Sequence, residues 1–556
     1  MPMTTPSLLS VVLTAVVCFL AFYADRGKGA HEGEIPRPVH RGICILLFGA
    51  GLLLRFIRLG TLPAGLAAGE ALIGVQAKAL LQTGRYLGET GLPFRLAMYS
   101  ADRASPLAAL IAVPTVAMLG MATLAVRLPF ALLSTISMAA AYGIGRELGG
   151  KRMGRFMLAF IAVSPMPVLT ARLAESQTLI LYLLPIALYG SLRALRFRRW
   201  VIPAMLLLGL LPWAQDLWIF IAPVLILFLL VVLLRQGMDA RLVWLGAALG
   251  FLLCLPGLMV IPHQEALLER LDRCKALLTA AHLPLAFFNK AWAVICGGVF
   301  QDMMHENIDY AVFSGEGFTA LHLFSVPLIL LGGLWLLSRR LGGERFSAGP
   351  QLMLLFAAAV FLAELFFGSP GILETNGTTS IWDYAAMLPF TTMLAATGAC
   401  QVSGRRRFSD ALLTLVFVLG TVPLGFFLLG GEYASHANVF FEDFPQAVRQ
   451  GMQTAQTRGL PLRVTTAVYP HTDPDEAAEM MTLFSLDADM RIVAEDREAY
   501  AEIFWAEGEA GPAEDTVSVV SMKESRNWIW DADAFDDERI GRYVLLVPKD
   551  KETAYE

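Results

Sequence analysis

Long apolar runs separated by short polar connections dominate the first 430 residues of the chain. A transmembrane helix needs about 20 apolar residues, and twelve segments approach that length. They are 7–24, 42–58, 126–146, 154–170, 178–193, 200–213, 217–234, 241–261, 319–337, 350–367, 384–402 and 411–429. The weakest is 200–213, which is short and ends at "PWAQD". The pattern predicts a mainly α-helical polytopic membrane protein of about twelve helices.

Basic residues occur in every second connection between these segments. The clusters are Arg26/Lys28/Arg37/Arg41, Lys151/Arg152/Arg155, Arg193/Arg196/Arg198/Arg199, Arg235/Arg241, Arg339/Arg340/Arg345 and Arg405/Arg406/Arg407. Lys and Arg near helix ends are retained in the cytoplasm. We therefore expect both termini, the connections 59–125 and 262–318, and the tail from 431 to lie outside.

The outer segments carry helical patterns of their own. Segment 59–125 contains "GEALIGVQAKALLQTG" and "SPLAALIAVPTVAMLG", the second broken by Pro114 and too short to span comfortably. Both suit helices that lie along the outer membrane surface. Segment 262–318 opens with "HQEALLERLDRCKALLTAAH", in which leucines mark one face and charges another.

The tail alternates helical and strand patterns. "FPQAVRQGMQTAQTRG" and "DPDEAAEMMTLFSL" indicate helices, the first stopped by Gly459, whereas "PLRVTTAVY", "TVSVVSM" and "RYVLLVP" indicate strands. We therefore predict two domains: a transmembrane body, 1–430, and a small extracytoplasmic α/β domain, 431–556.

Composition supports this division. The 556 residues are 56% hydrophobic and 16% charged, with a mean hydropathy of +0.58, above the apolar share of about 45–50% in soluble domains. The net charge of -5 is uneven, since acids outnumber bases by more than two to one after residue 431. Cys274 and Cys296 share one predicted outer loop and could pair. No Walker loop or HExxH motif occurs, and no basic surface suggests nucleic acid.

Glu70 is the first candidate for chemistry, because it lies among small apolar residues at the predicted membrane boundary. No Lys or Arg follows it closely before Lys78. Burial would favour its protonated form and suit a base that removes a hydroxyl proton. The alternative is an N-terminal helix cap, since an acid is favourable there.

Two further acid and arginine pairs lie near the outer ends of helices. Asp102 and Arg103 precede the second surface helix, where Arg103 could bind phosphate or be neutralised by Asp102. Arg172 and Glu175 would share one helical face if the helix continues, as either a structural ion pair or a site.

The loop "QDMMHENIDY" gathers His305 with three acids and could hold a divalent metal, although it shows no recognised ligand spacing. A solvated polar loop is the alternative. Tyr86 and His305 complete the candidates for contact with a sugar or phosphate.

The stretches "LPAGLAAGEALIGVQAKALLQTGRY", "DRASPL" and "VRLPFALLSTISMAAAYGIGRELGGKRMGRFMLAFIAVSPMPVLTARLAES" resemble the GT-C superfamily of polytopic membrane glycosyltransferases. Within it, the chain resembles the bacterial family related to protein O-mannosyltransferases and aminoarabinose transferases. The resemblance is strongest from about residue 60 to 195. It implies transfer of a sugar from a polyprenyl-phosphate carrier to an acceptor glycan, lipid or protein on the outer face of a bacterial inner membrane.

The resemblance also implies an Asp-Glu pair in the first outer loop, with the Asp as catalytic base. Here those positions are Gly69 and Glu70. Ala104 stands where a Lys is frequent, and Glu175 matches the second acid only with a one-residue shift after Arg172. The family often has an Arg in the helix that leads to the late proline, and this chain has no Arg in that part of the helix before Pro389.

Three functions therefore follow from the sequence. The first is an inverting glycosyltransferase with Glu70, Asp102 and Glu175 as catalytic acids and Arg103 and Arg172 at the phosphate. The second is a catalytically inactive relative that partners another glycan enzyme. The third is a transporter, against which the outward termini and the absence of a half-to-half repeat argue.

Overall fold

The computed structural model describes the chain in blocks. They are residues 37–87, 105–260, 321–367, 381–430, 443–465, 474–495, 504–505, 515–521 and 534–549, without 216, 345, 403–405 and 542, and with the isolated residues 16, 268, 271, 272, 274 and 275.

Helices make up the described part of the body. They are α1 (Arg37–Phe56), α2 (Ala68–Thr83), α3 (Pro106–Leu119), α4 (Thr123–Val163), α5 (Pro165–Leu169), α6 (Leu179–Ala194), α7 (Val201–Gly209), α8 (Trp218–Arg235), α9 (Ala240–Val260), α10 (Val326–Leu341), α11 (Ala348–Phe367), α12 (Ile381–Val402) and α13 (Arg406–Leu429). Within the described residues, seven helices are long and apolar enough to cross a membrane. They include α1, α8 and α11. Their exposed faces carry large apolar side chains such as Ile45 and Phe426, as expected for contact with lipid.

The predicted spans coincide with these helices, with two differences. Helix α4 covers the predicted span 126–146 and the first part of the predicted span 154–170. Between these two halves, Gly149 and Gly150 leave helical geometry and turn the chain back on itself. The predicted span 200–213 is not one continuous α-helix, because α7 ends at Gly209 and the 3-10 turn Leu211–Trp213 follows it. The candidate 7–24 lies outside the described residues.

Ion pairs gather the arginine-rich connections at one end of the bundle. Glu147, beside the α4 turn, pairs with Arg193 and Arg196 at 2.9 Å each. Arg155 lies 3.5 Å from Asp410 at the start of α13. The end of α1, the start of α2 and the residues around Glu175 lie at the opposite end. Three of the connections that carry basic clusters, those within α4, after α6 and before α13, therefore meet in space.

The C-terminal part of the chain is an α/β unit, as predicted. Its elements are α14 (Phe444–Arg458), β1 (Leu462–Thr465), α15 (Pro474–Ser485), α16 (Met490–Glu495), β2 (Phe504–Trp505), β3 (Val517–Ser521), β4 (Phe535–Ile540) and β5 (Tyr543–Pro548). The sheet order is β2-β1-β3-β5-β4, with β1 parallel to its two neighbours and β5 antiparallel to its own. Strand β4, "FDDERI", was not predicted, because four of its six residues are exposed and charged.

Helix α2 differs from its predicted place on the membrane surface. All residues from Glu70 to Ala77 are buried. One side of α2 packs against α3 and α4, and the other packs against α15 and α16 of the C-terminal domain. The helix is therefore enclosed, since a folded domain covers the face that the sequence pattern assigned to the membrane surface.

Helices α10 and α12 approach each other so closely that only glycine fits at the contact. A Cβ atom on Gly332 would lie 2.0 Å from the Leu394 carbonyl oxygen, and one on Gly398 would lie 2.0 Å from the Leu328 oxygen. Small residues allow backbones to pack in this way between membrane helices.

We predict that G398A destabilises the protein by about 1–3 kcal/mol, because the added methyl group forces the two backbones apart. Thermal unfolding of the detergent-solubilised protein measures the effect. The matched control is G333A on the same helix as Gly332, where a Cβ meets nothing within 4 Å. Equal melting temperatures for the two variants would contradict this account of the contact.

Candidate functional site

Glu70 forms a fully buried ion pair with Arg127, with 1% of the Glu70 side chain exposed and none of the Arg127 side chain. Arg127 donates from Nε to Oε1 at 2.7 Å and from its second terminal nitrogen to Oε2 at 2.8 Å. Oε2 also accepts the Ala67 N–H at 3.1 Å, and Oε1 accepts the Ala174 N–H at 3.1 Å. Each carboxylate oxygen therefore accepts two hydrogen bonds, one of which caps the start of α2.

Arg127 is bound on its remaining sides by backbone carbonyls. Its guanidinium donates to the oxygens of Pro63 at 2.8 Å, Gly65 at 2.9 Å and Leu59 at 3.4 Å. A buried charge is stable only when it is paired and its other donors are bonded. The pair thus joins α2, the start of α4 and the connection between α1 and α2.

Arg172 is also fully buried. Its guanidinium donates to the carbonyl oxygens of Ile57 at 2.6 Å, Leu54 at 2.8 Å, Leu62 at 3.1 Å and Arg55 at 3.4 Å. These are carbonyls at and beyond the C-terminal end of α1, where helical partners run out. The geometry favours a structural role for Arg172 and gives no support to the predicted phosphate contact.

Glu175 stands apart from these buried groups, because it is only partly buried. The helical turn that includes Arg172 ends before it, and Leu173 is extended with φ -126° and ψ 145°. The interpretation of Arg172 and Glu175 as neighbours on one helical face is therefore wrong.

The Glu175 carboxylate instead lies over Gly69. A Cβ atom built on Gly69 would be 2.7 Å from Glu175 Oε2, so this carboxylate occupies the space into which a side chain at position 69 would point. Gly69 is itself partly exposed. Two carboxylates therefore meet at the start of α2: the buried one of Glu70 and the more accessible one of Glu175.

The start of α3 is attached to the same place. The Ser105 N–H donates to Ser176 Oγ at 3.0 Å, and Ser105 Oγ donates to the Trp213 carbonyl at 2.5 Å. Tyr86 is buried, and its hydroxyl donates to the Pro106 carbonyl at 3.0 Å. These bonds fix the start of α3, which directly follows the predicted Asp102 and Arg103 in sequence, beside Glu175.

Three of the predicted site residues, Asp102, Arg103 and His305, lie outside the described residues, as do the acids around His305. Among the residues that the structure does describe, no group of three His, Cys, Asp or Glu side chains could hold a metal ion. The metal expected for the loop around His305 stays a prediction.

Arg127 is the residue that sequence reasoning missed. Proximity along the chain gives Glu70 no cationic neighbour, whereas Arg127, 57 residues away in sequence, lies beside it in space. A signal was present, since Arg127 is a lone charge at the start of an apolar run and such charges are expensive at membrane depth. Lys78, the nearest cation in sequence, pairs with Asp487 instead.

Comparison with known proteins gives a family match for one part of the chain and a fold for most of it. Residues 102–260 match the sequence profile of the family described as dolichyl-phosphate-mannose-protein mannosyltransferase. No curated protein matches the sequence.

Most of the chain is similar to several solved structures. The apo form of ArnT from Cupriavidus metallidurans aligns with a TM-score of 0.52 at 12% identity, over 91% of this chain and 98% of that one. ArnT bound to undecaprenyl phosphate aligns with a TM-score of 0.49 at 13% identity, over 91% and 98%. The oligosaccharyltransferase AglB from Archaeoglobus fulgidus aligns with a TM-score of 0.49 at 13% identity, over 88% and 70%.

The resemblance seen in the sequence is thus confirmed by the family match and by the architecture. The chain is a multi-pass membrane protein whose architecture is similar to the GT-C fold of ArnT.

Proposed function

We propose that the protein is an inverting glycosyltransferase that moves a sugar from a polyprenyl-phosphate carrier to an acceptor hydroxyl on the outer face of a bacterial inner membrane. The acceptor belongs to a glycan, lipid or protein. The C-terminal domain lies on the same outer side, opposite the arginine-rich end of the bundle. The family matched by residues 102–260 is named for a dolichyl-phosphate sugar donor, which supports this class of donor.

The observation that carries the proposal is the Glu175 carboxylate above Gly69. The family resemblance implies an acid at position 69, and in this chain a neighbouring residue brings a carboxylate to that space. A general base must reach the proton that it removes. Glu175 is only partly buried, whereas the Glu70 side chain is 1% exposed and lies beneath it at the start of α2.

The proposed reaction is a single displacement. Glu175 accepts the proton of the acceptor hydroxyl as that oxygen attacks the anomeric carbon from the face opposite the lipid phosphate. The bond from the anomeric carbon to the phosphate oxygen breaks, and its electron pair leaves with the polyprenyl phosphate. Arg103, two residues before the Ser105 that binds Ser176, is proposed to stabilise the phosphate charge. Asp102 is proposed to bind the sugar or to orient Arg103, whereas the buried Tyr86 supports the start of α3 through its bond to Pro106.

Glu70 then acts as a positioning residue in place of the base predicted from the sequence. Its Oε1 accepts the N–H of Ala174, the residue directly before Glu175. Arg127 holds the same oxygen from the other side at 2.7 Å. The ion pair fixes the backbone from which the Glu175 side chain projects.

We predict that E175Q lowers transfer at least about 100-fold, the typical contribution of a general base, while leaving the melting temperature nearly unchanged. The assay uses purified protein in nanodiscs, a panel of labelled polyprenyl-phosphate sugars, and membranes from a strain lacking the protein as the source of acceptor. Undiminished transfer by E175Q would refute the role of Glu175.

A carboxylate exchange tests the geometry directly. E175A should be inactive, and G69D/E175A should recover part of the activity, because the aspartate introduced in place of Gly69 would direct its carboxylate into the space that Glu175 leaves. The matched control is G69A/E175A, which adds the Cβ atom without the acid and should stay inactive. The inactive-partner alternative predicts no transfer by the wild-type protein with any donor in the panel.

For Glu70 we expect a loss of stability. E70Q leaves Arg127 as a buried charge without its carboxylate, and breaking such a pair costs about 3–5 kcal/mol. Thermal unfolding of E70Q, compared with E175Q as the matched carboxyl-to-amide change, measures the difference. A melting temperature for E70Q equal to that of E175Q would show that the buried pair does not support the fold.

A further inference from the structure

Helix α2 carries the start of the candidate site at one end and the C-terminal domain along its length. Gly69 and Glu70 form its first turn. Gly74, Lys78 and Gln82 follow at intervals of four residues, which places them along one side of the helix. Each of these three residues contacts the C-terminal domain.

The contact at Gly74 is the closest. A Cβ atom on Gly74 would lie 2.5 Å from Cε2 and 2.7 Å from Cδ2 of Phe484, whose side chain is 2% exposed. The aromatic ring of α15 therefore rests on the backbone of α2 one turn beyond Glu70. Any side chain at position 74 would push the ring away.

Lys78 supplies the polar part of the contact. Its ammonium group donates to Asp487 Oδ1 at 2.6 Å and to the Asp487 carbonyl oxygen at 2.7 Å. The Lys78 side chain is 12% exposed, whereas that of Asp487 is 65% exposed. The pair therefore lies at the rim of the interface, where Lys78 donates to both the carbonyl and the carboxylate of Asp487.

Gln82 completes the set by capping a helix of the domain. Its side-chain oxygen accepts the N–H of Met490, the first residue of α16, at 2.8 Å. The first N–H groups of a helix have no partner inside it. Helix α2 thus caps α16 of the C-terminal domain, and α15 and α16 of that domain bury one side of α2.

We infer that the C-terminal domain is a positioning element of the transfer site, which acts by holding α2 through Gly74, Lys78 and Gln82. A displacement of α2 moves Glu70, and Glu70 is bonded to the Ala174 N–H beside Glu175. The domain therefore sets the place of the Glu175 carboxylate without contacting it. The inference rests on the proposed function, because a change in the position of Glu175 is detected as a change in the rate of sugar transfer.

The first test removes the Lys78 contact in the full-length protein. K78M should lower kcat about tenfold, because displacement of a reacting group by less than 1 Å costs much of its contribution, with KM for the donor unchanged within about twofold. D487N should lower kcat less, since the Asp487 carbonyl still accepts. The matched control K549M removes an ammonium group that lies near Asp536 inside the domain, and should have no effect.

The second test uses the glycine. G74A favours the helix by about 1 kcal/mol through intrinsic propensity but collides with Phe484, so it should lower kcat even though the helix itself is strengthened. G74A/F484A removes the collision with the domain and leaves only the wider contact of 3.2 Å with Val126 Cγ2 of α4, so it should recover part of kcat. Wild-type kcat for both K78M and G74A would overturn the inference.

Hydrogen exchange separates this inference from the proposed function. In K78M the amides of α2 and of Ala174 should exchange faster than in the wild-type protein, whereas K549M should leave them unchanged. Faster exchange in K78M together with no transfer by the wild-type protein would refute the transferase proposal and support the link from Lys78 to Ala174. Unchanged exchange at Ala174 would refute the link.

Discussion

The ion pair between Glu70 and Arg127 is the constraint on which the candidate site depends. Removing a carboxylate and a guanidinium from water is costly, and their attraction offsets that cost only when the remaining hydrogen-bonding positions are filled. Here both carboxylate oxygens and all three guanidinium nitrogens have partners. Five partners of the pair are backbone groups, four from the connection between α1 and α2 and one from Ala174, so the pair fixes the path of the main chain around the site.

The two neighbouring carboxylates differ in burial. Glu70 is enclosed in the ion pair, whereas Glu175 is partly exposed and lies over Gly69. The absence of a side chain at position 69 is what allows the second carboxylate to enter. In the sequence, Gly69 stands where the resemblance implies an acid. In space, Glu175 from another segment brings an acid to that position.

The same short helix also joins the membrane body to the C-terminal domain. Its apolar composition suggested a helix at the membrane surface, but a helix of small residues is equally suited to burial on both sides. Ala and Gly allow the close approach of Phe484 on one side and of α4 on the other. The position of the domain and the geometry of the site are therefore coupled through α2.

The sequence alone determined the helices of the body, the break between the two halves of α4, the alternation of basic connections, and most of the C-terminal elements. These follow from the length of apolar runs and from local conformational preferences, which involve residues close in the chain. Only the tertiary structure decided that Glu70 meets Arg127, that Arg172 binds carbonyls beyond α1, and that Glu175 covers Gly69. The charge partner of a buried group is set by distance in space, and hydrophobic periodicity carries no information about it.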